Sequence, residues 1–199
     1  EYNSIVEICD GLKVRFVDAG HLLGSSSIEM WIREDDEEVK VVFSGDIGSG
    51  NRPLIKNPQY IRDADYVVME STYGDKEHET PPDYAAALAG VLKDTFTRGG
   101  NLVIPAFSVG RTQEMLYFIR EIKEKNLLPE FPGFEVYVDS PLAIEATNVF
   151  NKNVKGCFDE DAMALVNQGI NPLLFQGLKT TITSDESRQI NFDTKPKVI

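Results

Sequence analysis

The first part of the chain alternates short apolar runs with polar or glycine-rich turns, which is the pattern of β-strands. Apolar and polar side chains alternate along residues 26–32, and an acidic turn at residues 33–38 ends that run. The pattern predicts strands near residues 4–8, 12–18, 26–32, 40–44 and 66–70.

The period of the pattern changes after the polar stretch at residues 76–82, so we place a domain boundary there, between residues 1–78 and 79–199. Thr80 is predicted to cap a helix that runs to Gly99, with Asp83 at the capping-box position. Further helices are predicted at residues 110–125, 141–150, 159–168 and 184–191, the last with Ser184 as its cap. Strands are predicted at residues 102–106, 134–138, 178–183 and from about residue 195. Strands that alternate with helices predict an α/β domain with a mostly parallel sheet.

The composition is that of a globular protein, with 42% hydrophobic and 26% charged residues. A net charge of −12 argues against a generic nucleic-acid binder, which needs a basic surface. A polyanionic substrate would have to be held locally, by a metal, helix N-termini and a few Arg or Lys side chains. Cys9 and Cys157 are isolated thiols, and no apolar run has the length of a membrane span. These features predict a cytoplasmic protein without a membrane partner.

Three side chains typical of metal sites each follow a predicted strand, which we expect to be buried. They are His21, Asp46 and Glu70. Two hairpin turns would return Asp46 to the sheet edge where His21 lies, and a crossover through residues 49–65 would bring Glu70 there. An imidazole and a carboxylate at one edge suit Zn²⁺. The ordinary alternatives are a structural histidine and an aspartate that bonds its own turn.

A second candidate site is the turn from a predicted strand into the helix at residues 110–125. It contains Ser108, Gly110, Arg111 and Thr112. Free N–H groups at a helix start can bind phosphate, and Arg111 could add a forked contact. Alternatively, Arg111 pairs with Glu114 or Glu130.

Three further side chains have simpler expectations. Ser140 is expected to cap the next helix, either as a structural cap alone or as a cap that also lines a substrate cleft. Phe107 is expected in the core, and His78 on the solvated surface.

Five segments, in this order, resemble the β-CASP branch of the metallo-β-lactamase-fold nucleases, which cleave RNA or DNA. They are Gly20-His-Leu-Leu-Gly-Ser25, Phe43-Ser-Gly-Asp-Ile-Gly48, Glu70-Ser-Thr-Tyr-Gly-Asp75, the stretch from Pro105 to Glu114, and the stretch from Val138 to Ala143. The resemblance implies a partial metallo-β-lactamase αββα core at residues 1–78 and an α/β β-CASP domain at residues 79–199.

The resemblance also implies roles for the candidate residues. His21 would ligate one of two zinc ions, Asp46 would bridge both and act in catalysis, and Glu70 would sit beside the metals and orient a catalytic histidine. The turn at Arg111 and the helix start at Ser140 would hold phosphates of single-stranded RNA.

The chain departs from the family in lacking the HxHxDH motif and the later histidine motifs, since its only histidines are His21 and His78. We therefore expect a fragment that is metal-free or weakly metallated and inactive alone. Whether the protein forms a homodimer is left open. The expected function of the intact protein is zinc-dependent hydrolysis of RNA phosphodiesters in RNA processing or decay, as an exonuclease or an endonuclease. The alternatives are a small-molecule metallohydrolase on the same core and a non-catalytic β-CASP scaffold.

Overall fold

A computed structural model describes residues 1–77, 80 and 82–199. The chain divides into two compact units, which are Glu1–His78 with Cys157–Glu160 and Glu79–Gly156 with Asp161–Ile199. The fold is mixed α/β, as predicted. Each unit has its own sheet.

The first unit contains a five-stranded sheet in the order β1-β2-β3-β4-β5. Its strands are β1 (Ile5–Cys9), β2 (Leu12–Asp18), β3 (Ser26–Glu34), β4 (Glu37–Phe43) and β5 (Tyr66–Val68). The first four strands pair antiparallel, and β5 pairs parallel with β4. Short polar turns produce this meander, and the crossover before β5 gives the parallel pair that the sequence predicted.

One face of this sheet carries a buried charged network around Glu29, whose side chain is fully buried. Arg15 forms an ion pair with one carboxylate oxygen, and Lys40 Nζ lies 2.7 Å from the other. Both cations also lie over the Trp31 ring, 5.6 Å and 5.4 Å from its centroid. Burial alone would raise the pKa of Glu29, but hydrogen bonds from Arg15 and Lys40 lower it below its ordinary value. The network keeps this carboxylate ionised inside the unit.

The second unit has a three-stranded parallel sheet in the order β7-β6-β8, which confirms the predicted parallel pairing. Its strands are β6 (Glu135–Val138), β7 (Leu178–Thr180) and β8 (Lys197–Val198). Its helices are α1 (Tyr84–Thr97), α2 (Arg111–Glu124), α3 (Pro141–Lys152), α4 (Val154–Cys157), α5 (Glu160–Asn167) and α6 (Ser184–Gln189), and a 3₁₀ turn follows at Ile190–Phe192. The last residue of α4, Cys157, and the first of α5, Glu160, are assigned to the first unit.

The strand predicted at residues 102–106 is only a single bridge, from Leu102 to Val198. Leu102 N donates to Lys197 O and Ile104 N to Ile199 O, both at 2.9 Å. Because β8 has only two residues, this segment has too short a partner to form a longer ladder. It nevertheless runs parallel to β8 as an extended neighbour.

Two helices begin at a different cap from the predicted one. Asp83, not Thr80, caps α1, and its carboxylate accepts from Ala86 N at 3.0 Å. Thr183, one residue earlier than expected, caps α6 by accepting from Glu186 N. Asp and Thr are both good caps, so the pattern alone does not choose between adjacent candidates.

Aromatic contacts link α1 to α2 and to the segment before β6 in the second unit. The Phe96 ring is 2% exposed and lies 5.5 Å, between ring centroids, from both Phe131 and Phe134. Tyr84 packs against Phe118 at 5.4 Å, joining the two helices. None of the helices in the described part of the chain combines the length and apolarity needed to span a bilayer.

Candidate functional site

His21 and Asp46 lie next to each other beyond the ends of β2 and β4. His21 Nε2 is 4.0 Å from Asp46 Oδ2, and the two side chains are 34% and 76% exposed. The antiparallel meander accounts for this pairing, because β2 and β4 run in the same direction and their ends share one edge. The sequence therefore predicted the position of this pair correctly.

The turn that carries His21 is held by backbone hydrogen bonds to side chains that the sequence reasoning did not single out. Ser25 Oγ accepts from His21 N at 3.0 Å and from Leu22 N at 3.1 Å. Asp18 Oδ1 accepts from Gly20 N at 2.9 Å. These bonds fix the backbone around the imidazole. A signal was available, because Asp and Ser beside glycines commonly bond local backbone groups.

Asp18 is itself buried, and burial raises the pKa of its carboxyl above the ordinary value, although the Gly20 N–H and the Lys56 charge oppose the shift. Tyr2 lies in the same region and donates its hydroxyl proton to Ser25 O at 2.8 Å. Burial first, and then the charges of Asp18 and Cys157, raise the pKa of Tyr2 to about 12.

Close backbone contact holds the Asp46 loop against the His21 turn. Gly48 N donates to Ala19 O at 2.8 Å. A Cβ atom at Gly48 would lie 1.8 Å from Gly20 O and 2.8 Å from His21 N. Only glycine fits at Gly48, so this residue sets how near the two loops lie.

Glu70 also acts on the Asp46 loop. Its carboxylate accepts from Ile47 N, the residue after Asp46, at 2.8 Å. A hydrogen bond from the Thr72 side chain and then the bond from Ile47 lower the pKa of Glu70, with a smaller contribution from the His21 charge. Ser44 Oγ in turn accepts from Glu70 N at 3.0 Å. Glu70 therefore braces the loop that presents Asp46.

The strand before Glu70 is not buried, contrary to expectation. Tyr66, Val67 and Val68 in β5 are 64%, 58% and 56% exposed. β5 is the edge strand of its sheet, so it pairs on one side only.

The His21–Asp46 pair fits part of a zinc ligand set. Zinc bonds of roughly 2.0–2.2 Å in a tetrahedral arrangement need donor atoms about 3.4 Å apart. The observed 4.0 Å is within a small side-chain adjustment of that spacing. Among residues 1–77, 80 and 82–199, however, no group of three or more His, Cys, Asp and Glu side chains is placed to hold a metal ion. A zinc centre here needs ligands in addition to this pair.

The second candidate site, at the start of α2, is a tightly bonded turn. Gly110 precedes the helix with a φ of 88° and donates to Gln113 Oε1 at 2.7 Å. Gln113 Nε2 donates to Ser108 O and, at 2.9 Å, to Thr147 in α3. Thr112 directs both its N–H and its hydroxyl to Phe107 O, so those donors already have acceptors.

Arg111 pairs with Glu114, with Nη1 3.3 Å from Oε2, while its side chain is 53% exposed. Of the two partners that the sequence offered for Arg111, the structure has Glu114. The other, Glu130, pairs with Lys93. Glu114 is buried, so Arg111 compensates a carboxylate in the first turn and still presents part of its guanidinium to solvent.

Ser140 caps α3 as expected, because its Oγ accepts from Ala143 N at 3.2 Å. The neighbouring Asp139 carboxylate accepts from the hydroxyls of Thr181 and Ser187, which ties the end of β6 to the α6 region. Both side chains have structural partners at the carboxyl end of the parallel sheet.

Phe107 does not lie in the core, which corrects the sequence expectation. Its side chain is 86% exposed. The apolar stretch before α2 gave no signal of this, because buried and exposed rings look alike in a short apolar run. The surface position expected for His78 lies outside the described residues.

The chain is similar in sequence to proteins of known families. Residues 112–199 match the family model described as the Beta-Casp domain. The chain is 31% identical to Ribonuclease TTHA0252 of Thermus thermophilus over 94% of this chain and 41% of the relative. It is 32% identical to the transcription termination factor FttA of Methanosarcina mazei, over 100% of this chain and 31% of the relative. It is 29% identical to the endoribonuclease YSH1 of Yarrowia lipolytica, over 90% of this chain and 21% of the relative. The chain thus spans less than half the length of these relatives.

Proposed function

Since this chain belongs to the β-CASP family of metallo-β-lactamase-fold proteins, as the comparisons and the five segments agree, we propose that the whole protein hydrolyses RNA phosphodiesters with the help of zinc. In this proposal the first unit is part of the metallo-β-lactamase core, and the second unit is the β-CASP domain. Relatives named as ribonucleases support RNA over a small-molecule substrate.

His21 and Asp46 are the proposed metal ligands, because their donor atoms lie 4.0 Å apart on an open edge. When bound, zinc supplies activation of the attacking water and stabilisation of negative charge on the phosphodiester. The residues of this chain orient the two proposed metal ligands. The Ser25 hydroxyl fixes the backbone at His21, and Glu70 fixes the backbone next to Asp46.

Glu70 is proposed to act with its carboxylate ionised, since its hydrogen bonds lower its pKa. In that form it accepts the Ile47 N–H and sets the distance of Asp46 from the imidazole. The family resemblance adds a contact with a catalytic histidine. Accepting the Ile47 N–H and contacting a catalytic histidine both need the Glu70 carboxylate to be ionised and held beside the Asp46 loop.

The turn at Ser108, Gly110, Arg111 and Thr112, together with the α3 start at Ser140, is proposed to contact RNA phosphates. Arg111 would make the main contact, because the Gly110 and Thr112 N–H groups already donate within the turn. The exposed part of the Arg111 guanidinium is the strongest support. Glu114 competes for that guanidinium, so a phosphate would share Arg111 with it. Contacts of this local kind suit a chain with a net charge of −12. A cytoplasmic location is proposed from the two free thiols, Cys9 and Cys157.

The observation that carries the proposal is the convergence of His21, Asp46 and the Glu70-braced loop. The test measures bound zinc and RNA cleavage by the whole protein, for the wild type and for Asp46→Ala. Asp36→Ala, in the exposed β3–β4 turn, is the matched control. We expect the Asp46 variant to lose both zinc and cleavage while the control keeps both. Equal cleavage by the Asp46 variant would refute the proposal, and absence of cleavage by the wild type would favour a non-catalytic scaffold.

A further inference from the structure

Phe107 is a large apolar side chain presented to solvent in the second unit, with 86% of its surface exposed. Single exposed apolar residues are common in folded proteins and need no explanation by themselves. The attachment of this ring, its place in the fold and its charged neighbour together distinguish it from such residues.

The backbone at Phe107 is fixed on both sides. Its carbonyl accepts from Thr112 N at 3.3 Å and from Thr112 Oγ1 at 2.8 Å, which ties it to the first turn of α2. Three residues earlier, Ile104 N donates to Ile199 O beside β8. With the backbone held in this way, only the two side-chain torsions of the ring have to be ordered when it binds a ligand.

The ring also lies at the end of the sheet where α/β proteins bind ligands. The segment that contains Leu102 runs parallel to β8, and Phe107 follows it, so the ring is beyond the carboxyl end of the parallel strands. Open parallel sheets bind ligands in the crevice at that end.

The guanidinium of Arg111, four residues along, is half exposed in the same turn. An aromatic ring and a cation within one turn form the combination that binds single-stranded nucleic acids, because bases stack on the ring and the backbone phosphates are attracted to the cation. The Gly110 backbone, at a φ of 88°, turns the chain sharply between these two side chains.

We propose that Phe107 is a stacking platform for one base of single-stranded RNA, whose adjacent phosphate is held at Arg111. This inference rests on the proposed RNA contact of the same turn, and it adds a base contact to a site so far described by phosphates alone. Because every base has a flat face, the contact carries little sequence preference.

The test compares two fluorescein-labelled probes by anisotropy: a ten-nucleotide oligouridylate and an abasic oligonucleotide of the same length. The wild-type chain should bind the oligouridylate more tightly than the abasic probe. Phe107→Ala should weaken oligouridylate binding by about 5- to 150-fold, which is the usual effect of removing one stacked base. The same change should leave the abasic probe unaffected. Phe107→Trp should retain the preference for bases, and Phe107→Leu should lose it.

Phe192→Ala is the matched control, because Phe192 is 76% exposed in the same unit. It precedes β8 and so lies toward the amino end of the parallel strands. This variant should bind both probes like the wild type. In a Trp31→Phe background, Phe107→Trp should also show tryptophan emission that is quenched by the oligouridylate and not by the abasic probe.

The outcomes distinguish the stacking platform at Phe107 from the phosphate contact at Arg111 on which it rests. If both probes bind equally well and Phe107→Ala changes neither, the stacking platform is wrong while the phosphate contact stands. Binding of neither probe by the wild-type chain would refute the phosphate contact and the stacking platform together. Equal losses for Phe107→Ala and Phe192→Ala would also overturn the specific role of Phe107.

Discussion

Gly48→Ala tests whether close contact between two loops builds the His21–Asp46 pair. The added Cβ would lie 1.8 Å from Gly20 O, so the backbone must move by about 1.6 Å before the contact is ordinary. Such a shift breaks the bond from Gly48 N to Ala19 O and displaces the turn that carries His21. Overpacking strain and one lost hydrogen bond together give a destabilisation of about 2–4 kcal/mol.

The assay is urea unfolding followed by the fluorescence of Trp31, the only tryptophan of the chain, which lies in β3 of the same unit. With a slope of about 2 kcal/mol per molar urea, the unfolding midpoint should fall by about 1–2 M. Gly50→Ala is the matched control, since a Cβ there meets nothing within 4 Å. It should shift the unfolding free energy by less than about 1 kcal/mol. If Gly48→Ala and Gly50→Ala unfold at the same midpoint, the loop contact does not hold the site.

Two further predictions concern a helix cap and a half-buried tyrosine hydroxyl. Asp83→Ala should cost about 1 kcal/mol, because it removes the acceptor of Ala86 N at the start of α1, whereas Thr80→Ala should cost little; the far-ultraviolet circular dichroism melt checks both. Tyr2 should ionise near pH 12 in an ultraviolet titration, and Tyr2→Phe should remove that late step. Since the folded pKa of Tyr2 is raised, its contribution to stability is complete below about pH 10 and is lost as the pH rises through about 12. A Tyr2 that titrates with exposed tyrosines would contradict its burial.

The order of strands in the first unit could be predicted because each turn is marked by polar or glycine residues and each strand by its apolar run. The same reasoning brought His21 beside Asp46, since two hairpins reverse the chain twice. The positions of Ser25 and Ser44 as braces could not be predicted as firmly. Their hydroxyls accept from backbone N–H groups that only the folded loops bring near.

Burial was harder to predict than strand order. An alternating strand normally turns its polar side to solvent, yet Glu29 is fully buried because Arg15 and Lys40 meet it from the neighbouring strands. Phe107 is the opposite case, an apolar side chain on the surface. In both cases residues distant in sequence decide whether the side chain is buried, and a local sequence pattern does not reveal those residues.

The most direct measurement of the central claim follows the imidazole signals of the 199-residue chain by NMR as Co²⁺, a substitute for Zn²⁺, is added. The chain has only two histidines, His21 and His78, so each signal can be assigned with a His78→Ala variant. We predict that Co²⁺ perturbs the His21 signal at lower concentration than the His78 signal, and that Asp46→Asn removes this difference. Equal perturbation of both histidines, or an unchanged His21 response in the Asp46 variant, would contradict the assignment of His21 and Asp46 as a metal-binding pair.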